Sequence, residues 1–334
     1  MALRILFTRD DLMRVRMATT PDPLWEITNS LDRLQTSEGR PAFAHWYHDT
    51  RDRLAATGFE RTVRSVLIPL LPRAAYFPDF LTPAEARDGL DAGLEAILGT
   101  PDDRVRTEIR KLAELHQAPA WAHQLTDGAM RKMVVTAVRA YHDLAIAPHE
   151  AMIYEAVCRD HVIRNKALQE GGIEEFLASF RPLMRWSAPV LDVVYPVDRE
   201  IALNGRGLLL VPSYFCWRHP VALADPELPP VLIYPLLDLS TPRPPFDTDR
   251  SAGDLLGTTR AAVLRCTRNG TTTSEIARAI GVSAQTVSHH ITKLRDSRLV
   301  TSRRIANRVL HAITPLGRAI LAPSTVADIR LKSL

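Results

Sequence analysis

The sequence predicts an α+β chain: a mostly helical N-terminal body with a small antiparallel sheet, then a compact C-terminal unit of helices and one β-hairpin. Three observations predict this. Helical apolar spacing dominates residues 1–187; apolar and β-branched runs bounded by Pro, Gly and Asn replace it from Ala188; a stretch rich in Pro, Asp and Ser then precedes a return to helical spacing. The expected divisions are a helical body over 1–187, a β region over 188–238, a linker over 239–254 and a C-terminal unit over 255–334. A length of 334 residues agrees with two or three domains.

Punctuation divides the body. Pro21, Asp22 and Pro23 close a short extended start. Leu24, Ile27, Leu31 and Leu34 then recur at helical spacing, with Pro23 in the first turn. Further helices are expected over 42–56 and 60–71. An apolar, Pro-broken connector leads to Thr82-Pro83-Ala84-Glu85, which reads as a helix start with Thr82 as N-cap. Helices are expected to continue to Gly99 and over 102–116, 120–145 and 148–180. The runs 190–195, 207–211 and 231–234 supply the strands of the small antiparallel sheet.

Charge separates the two ends. The chain carries a formal +4, yet residues 251–334 hold 13 Lys+Arg against 4 Asp+Glu, which leaves the first 250 residues net acidic. Such asymmetry points to a nucleic-acid or membrane partner. No apolar run approaches the ~18 residues of a membrane span, and Met1 to Arg9 offers too short an apolar stretch for a signal peptide. Cys158, Cys216 and Cys266 are dispersed and odd in number, so a disulfide framework and a Cys-x-x-Cys metal spacing are excluded, and a reducing cytoplasm is expected. Of the 42 basic residues 37 are Arg, a skew expected of a GC-rich bacterial genome.

The last segment carries the functional signal. Ala261, Val263, Leu264 and Cys266 lie in a helical run that Asn269-Gly270 stops. Thr272-x-x-Glu275 is a capping box for a second helix; Gly281-Val282 turns the chain, and Ser283 caps a third helix to about Asp296. This is helix-turn-helix spacing. On the third helix Val287, Ile291 and Leu294 form an inward stripe with His290 beside it. Gln285, His289, Thr292 and Lys293 lie opposite, flanked by Thr286 and Ser288. A face of short hydrogen-bonding side chains with one cation suits base edges in a major groove. Runs 299–303 and 309–313, joined by Arg304, Ile305, Ala306 and Asn307, form a hairpin with Arg303, Arg304 and Arg308 near its tip, suited to phosphates or a minor groove. Thr314-Pro315 opens a last helix. Residues 251–334 lack Phe, Trp and Tyr, which favours duplex DNA over single strands that stack on aromatics.

The stretch from Val282 through Ser283, Gln285, Thr286, Ser288, His289, His290 and Lys293 to Val300 resembles the recognition-helix signature of ArsR-type winged helix-turn-helix regulators. The hairpin and Thr314-Pro315-Leu316-Gly317 fit the same pattern. The first 240 residues resemble an uncharacterised N-terminal region found on some actinobacterial regulators, through Asp79-Phe80-Leu81-Thr82-Pro83 and Gly207-Leu208-Leu209-Leu210-Val211-Pro212-Ser213. The resemblance implies a homodimeric repressor on a palindromic operator, often released by an effector. Metal sensors of that type carry Cys at the helix before the turn or Asp, His and Glu on the last helix. Thr273 to Arg278 and Leu316 to Leu321 hold no such ligands, so metal sensing is not carried over.

The expectation is a sequence-specific regulator of double-stranded DNA, cytoplasmic and nucleoid-associated. Ser283, Gln285, Thr286, Ser288 and His289 would meet bases or nearby phosphates, Lys293 the backbone, and Arg303, Arg304 and Arg308 would anchor the wing. The body would mediate dimerisation, small-molecule effector sensing, or both. No catalytic residue, cofactor, metal or membrane partner is expected: the sequence has no P-loop, Gly-x-Gly-x-x-Gly, Gly-x-Ser-x-Gly or His-Glu-x-x-His. His45, His48 and Asp49 share a helix turn without a third ligand in view. The competing readings are a non-specific architectural DNA protein and an enzyme body fused to a DNA-binding unit.

Overall fold

A computed structural model describes residues 2–74, 76–116, 118–223, 225, 227–236, 256–267, 270–305 and 308–321. The linker expected over 239–254, Asn269 of the helix stop, and Ala306 and Asn307 of the hairpin connection lie outside the described residues. The chain divides into two units, Met1–Pro242 and Arg243–Leu334.

The first unit opens with β1 (Ala2–Leu6), α1 (Arg9–Met13) and β2 (Arg16–Met17). Leu3 and Ile5 alternate with exposed or half-buried neighbours, so β1 buries one face at the strand period of two. Later in the chain come β3 (Met184–Ser187), β4 (Val190–Val194) and β5 (Arg199–Ala202). Their sheet has the order β3-β4-β1-β5, with β1 antiparallel to β4 and parallel to β5. A second sheet has the order β2-β6-β8-β7, built from β6 (Leu209–Ser213), β7 (Val221–Ala222) and β8 (Val231–Pro235). β2, β6 and β8 run parallel, and β7 is antiparallel to β8.

These pairings correct the small antiparallel sheet expected over 188–238. Among the described residues of this unit the strands form two mixed sheets; each takes in a strand from the first 17 residues, and β3 begins inside the stretch expected to be helical. Local periodicity cannot report a partner so far along the chain, and a strand as short as β2 has no period to read.

The helices follow their expected places more closely. They are α2 (Pro23–Gln35), α3 (Ala44–Thr57), α4 (Leu90–Gly99), α5 (Asp102–Leu115), α6 (Gly128–Tyr141) and α7 (Glu150–Ala178). Residues 60–70 are helical around a π turn, Val63–Leu67. Asp22 caps α2, accepting from the backbone N–H of Leu24 at 3.0 Å and of Trp25 at 3.2 Å. Thr82 is no cap: its hydroxyl donates to the Asp79 carbonyl at 3.3 Å, and the 3-10 turn Ala84–Asp88 stops at Gly89, whose φ is 124°. The helix expected over 120–145 is broken because Asp127 caps a new start, accepting from Ala129 N at 2.9 Å.

Polar groups lock this core. Arg164 of α7 is buried against Asp160 at 2.9 Å, and the Tyr234 hydroxyl donates to the same carboxylate at 2.6 Å. Glu26 of α2 is equally buried. It accepts from Tyr214 N (2.8 Å), Phe215 N (3.1 Å) and the Ser213 hydroxyl (3.1 Å), which ties α2 to the end of β6. Burial pushes the Glu26 carboxyl up to about 7 against these stabilising bonds.

The second unit contains α8 (Thr258–Cys266), β9 (Thr271–Thr272), α9 (Thr273–Ile280), α10 (Ala284–Asp296), β10 (Val300–Ile305), β11 (Arg308–Ile313) and α11 (Pro315–Leu321). Its antiparallel sheet has the order β10-β11-β9. Val263, Leu264, Ile276, Val287, Ile291 and Leu294 are buried in it, as their helical spacing requires. The chain is therefore mixed α+β, and its second unit shows four helices and a hairpin among the described residues.

Candidate nucleic-acid interface

Local chemistry sets the turn between α9 and α10. Thr272 opens α9 with a reciprocal cap: its N–H donates to Glu275 Oε2 at 2.8 Å, and its hydroxyl accepts from Glu275 N at 3.4 Å. Gly281 ends α9 at φ 67°, ψ 32°, a left-handed conformation that strains any residue with a Cβ. Val282 N donates back to the Ala277 carbonyl at 3.1 Å. Ser283 restarts the helix at once, its hydroxyl accepting from Thr286 N at 3.1 Å. Val287, Ile291 and Leu294 then hold α10 down by one stripe, which leaves the opposite face outward.

That outward face divides into two kinds of residue. Gln285, Ser288, His289 and Lys293 are exposed and follow one helical ridge. Among the described residues none of their side chains makes a hydrogen bond. Other polar groups expected on this face are already engaged. The Thr286 hydroxyl lies 2.8 Å from that of Ser283, so these two residues complete the cap together. The Thr292 hydroxyl donates to the Ser288 carbonyl at 3.0 Å. His290 is half-buried, and burial, then Arg260 of α8, lower its pKa. Arg295 and Arg298, not singled out from the sequence, add two exposed cations at the end of α10. Their only sequence signal is the basic excess of the segment.

The hairpin is longer than expected. Cross-strand pairs run from Val300↔Ile313 to Ile305↔Arg308, so Arg304 and Ile305 belong to β10 and not to the connection. Directly paired residues share a face. Arg303 and Arg308 therefore lie on the face that includes Thr301, whereas Arg304 pairs with Val309 on the face that runs back to buried Val300, His311 and Ile313. All three arginines are exposed.

His311 couples the hairpin to the helices, a role the sequence reading missed. It is buried, with Nδ1 2.8 Å from the Ser302 hydroxyl of β10 and Nε2 2.9 Å from the Thr273 hydroxyl of α9. Burial, then the nearby Arg295, lower its pKa, so the neutral ring is favoured. Gly317 seals the base of the hairpin: a Cβ there would collide with the Leu299 carbonyl oxygen and stand 2.7 Å from Ile313 Cγ1.

Elsewhere, His149 Nε2 lies 3.0 Å from Asp49 Oδ2, and the His45 ring stands 5.9 Å from that of His149. No group of three or more His, Cys, Asp or Glu among the described residues could hold a metal ion. No helix among them is long and apolar enough to cross a membrane.

The chain matches no curated protein and no solved structure. Residues 258–303, running from α8 into β10, match a family described as a helix-turn-helix domain. With the geometry of α9, the turn and α10, this match supports a DNA-binding regulator carried by the C-terminal unit.

Proposed function

We propose that the protein is a sequence-specific transcriptional regulator of the ArsR type, a homodimeric repressor that binds duplex operator DNA. The observation that carries this reading is the ridge of Gln285, Ser288, His289 and Lys293. It is exposed, makes no side-chain hydrogen bond among the described residues, and is mounted on a helix fixed by a cap and an apolar stripe. In a dimer two such helices would enter successive major grooves about one turn apart. Ser283 and Thr286 present the N-terminal turn to a phosphate, and Arg303, Arg304 and Arg308 hold the backbone or minor groove beside it. The N-terminal body serves dimerisation and effector sensing rather than catalysis, and the protein works in the cytoplasm on the nucleoid.

Protection mapping on DNA upstream of its own gene tests this. The expected result is a pair of protected half-sites related by two-fold symmetry and spaced by about 10 base pairs or a multiple. Uniform protection, relieved equally by mixed-sequence competitor, would sink the specific-regulator reading and favour an architectural protein.

A further inference from the structure

The N-terminal body forms an open cavity of about 660 Å³ against one face of the β2-β6-β8-β7 sheet. That volume falls in the range of small-molecule sites. Leu209 and Val211 of β6, Val231 of β8 and Trp25 of α2 give it an apolar wall. The opposing rim comes from the 79–87 stretch, through Thr82, Pro83 and Ala84. Leu210 and Leu232, alternating with the cavity-lining residues, turn into the main core instead.

The polar lining is rich in arginine. Arg14, Arg16, Arg87, Arg104 and Arg206 all reach it. Three carboxylates face them, and two of these are committed: Asp22 caps α2, and Asp79 accepts from Asp225 N at 2.9 Å. Glu85, the third, is exposed at the rim. Arg104 is taken up by Glu108 at 2.7 Å. Arg14 and Arg87 donate to the carbonyls of Gly205 (2.7 Å) and Ala84 (2.9 Å), which holds their guanidinium groups in place; the charge of Arg87 also acts on buried Asp22, and neither arginine makes a close ion pair among the described residues. Arg16, on the short edge strand β2, has no side-chain partner among the described residues. An apolar chamber with guanidinium groups in excess over available carboxylates is complementary to an amphipathic anion.

We infer that this cavity binds an organic anion with an apolar body, its anionic head held by Arg16 and Arg87 and its hydrocarbon against Trp25, Leu209 and Val211. This gives the effector of the proposed regulator a location and a chemical class, and it rests on that reading only for its effect on DNA.

The probe is 8-anilinonaphthalene-1-sulfonate, titrated into the full chain beside its uncharged analogue N-phenyl-1-naphthylamine. Saturable binding of the sulfonate at one site per chain is expected. Arg16→Ala or Arg87→Ala should weaken it by about tenfold while leaving the neutral analogue unchanged, and Arg16→Lys should restore much of the loss. Leu209→Trp, which fills the chamber, should block both probes. Sulfonate affinity that is unchanged in both arginine variants overturns the inference. So does unchanged binding to a Leu209→Trp variant that keeps the wild-type Tm. A separate DNA titration with and without the sulfonate isolates the regulatory reading: binding in the cavity with unaltered DNA affinity upholds the site and removes its effector role.

Discussion

At the scale of single residues, the two hydroxyl-bearing positions at the start of α10 have a different task from the residues after them. Ser283 and Thr286 bond each other, so Ser283→Ala should cost about 1 kcal/mol of stability in the C-terminal unit and weaken binding to all DNA sequences alike. Gln285→Ala should leave stability unchanged and cost on the order of 1–3 kcal/mol at one base position, read by binding to single-base operator variants. A uniform loss for Gln285→Ala would make it a phosphate contact. In the body, Glu26 makes stability depend on pH. The folded chain holds this proton to about pH 7, whereas the unfolded chain releases it near 4.5. The Glu26 contribution to stability is therefore full at acidic pH and is lost as pH rises from about 4.5 to about 7, while buried His149 and His161, whose pKa burial lowers, act in the opposite sense. Asp22 and Asp32, both raised to about 6 chiefly by burial, add to the Glu26 trend. Glu26→Gln should flatten the slope, although its NH2 must then face a backbone donor. All five Trp residues lie before residue 251, so the Tm of Trp fluorescence against pH reports this unit alone.

At the scale of elements, the hairpin makes a prediction that its composition does not. Arg303 and Arg308 share a face, and Arg304 is on the other. Arg303→Ala and Arg308→Ala should therefore flatten the slope of log affinity against log salt by matching amounts, about 1 each, with Arg304→Ala differing from both. Three unchanged slopes would remove the wing from the interface. The elements that were legible in the sequence share a physical trait: their signals are local. The Thr272–Glu275 capping box, Gly281, the Ser283 cap and the Val287–Ile291–Leu294 stripe all act within one or two helical turns, and the structure contains each. The ridge of Gln285, Ser288, His289 and Lys293 was legible for the same reason. The engagement of Thr286 and Thr292 was not, because a hydroxyl's choice between solvent and a neighbour leaves no periodic trace. Nor was the bridge through His311, whose partners Thr273 and Ser302 are brought together by the β9-β11-β10 sheet and not by spacing.

At the scale of the whole molecule, charge and pattern set the helix-turn-helix stretch at 258–303 apart from the chain before it, but the joining of the first unit's two ends was not legible. β1 lies inside its sheet, between β4 and β5, and Ala2 pairs with Val194. The cavity likewise needs Arg14 and Arg16 from one end and Leu208, Leu209 and Val211 from the other. Synthesis runs in one direction, so this arrangement sets an order of events. At about 5–20 residues per second, β1 waits on the order of 10–40 s after translation before β4 and β5 exist. Over that interval Leu3 and Ile5 belong to an unpaired strand with two bare edges, a template for pairing with other chains. Ribosome-stalled chains ending before residue 184 should thus leave the first 17 residues open to protease, and chains extended past residue 236 should protect them. A seam closed last also confers late commitment: the chamber's lining is complete only once Val231 has been made, so its residues are drawn together after nearly the whole body has been synthesised and before the helix-turn-helix stretch at 258–303 follows.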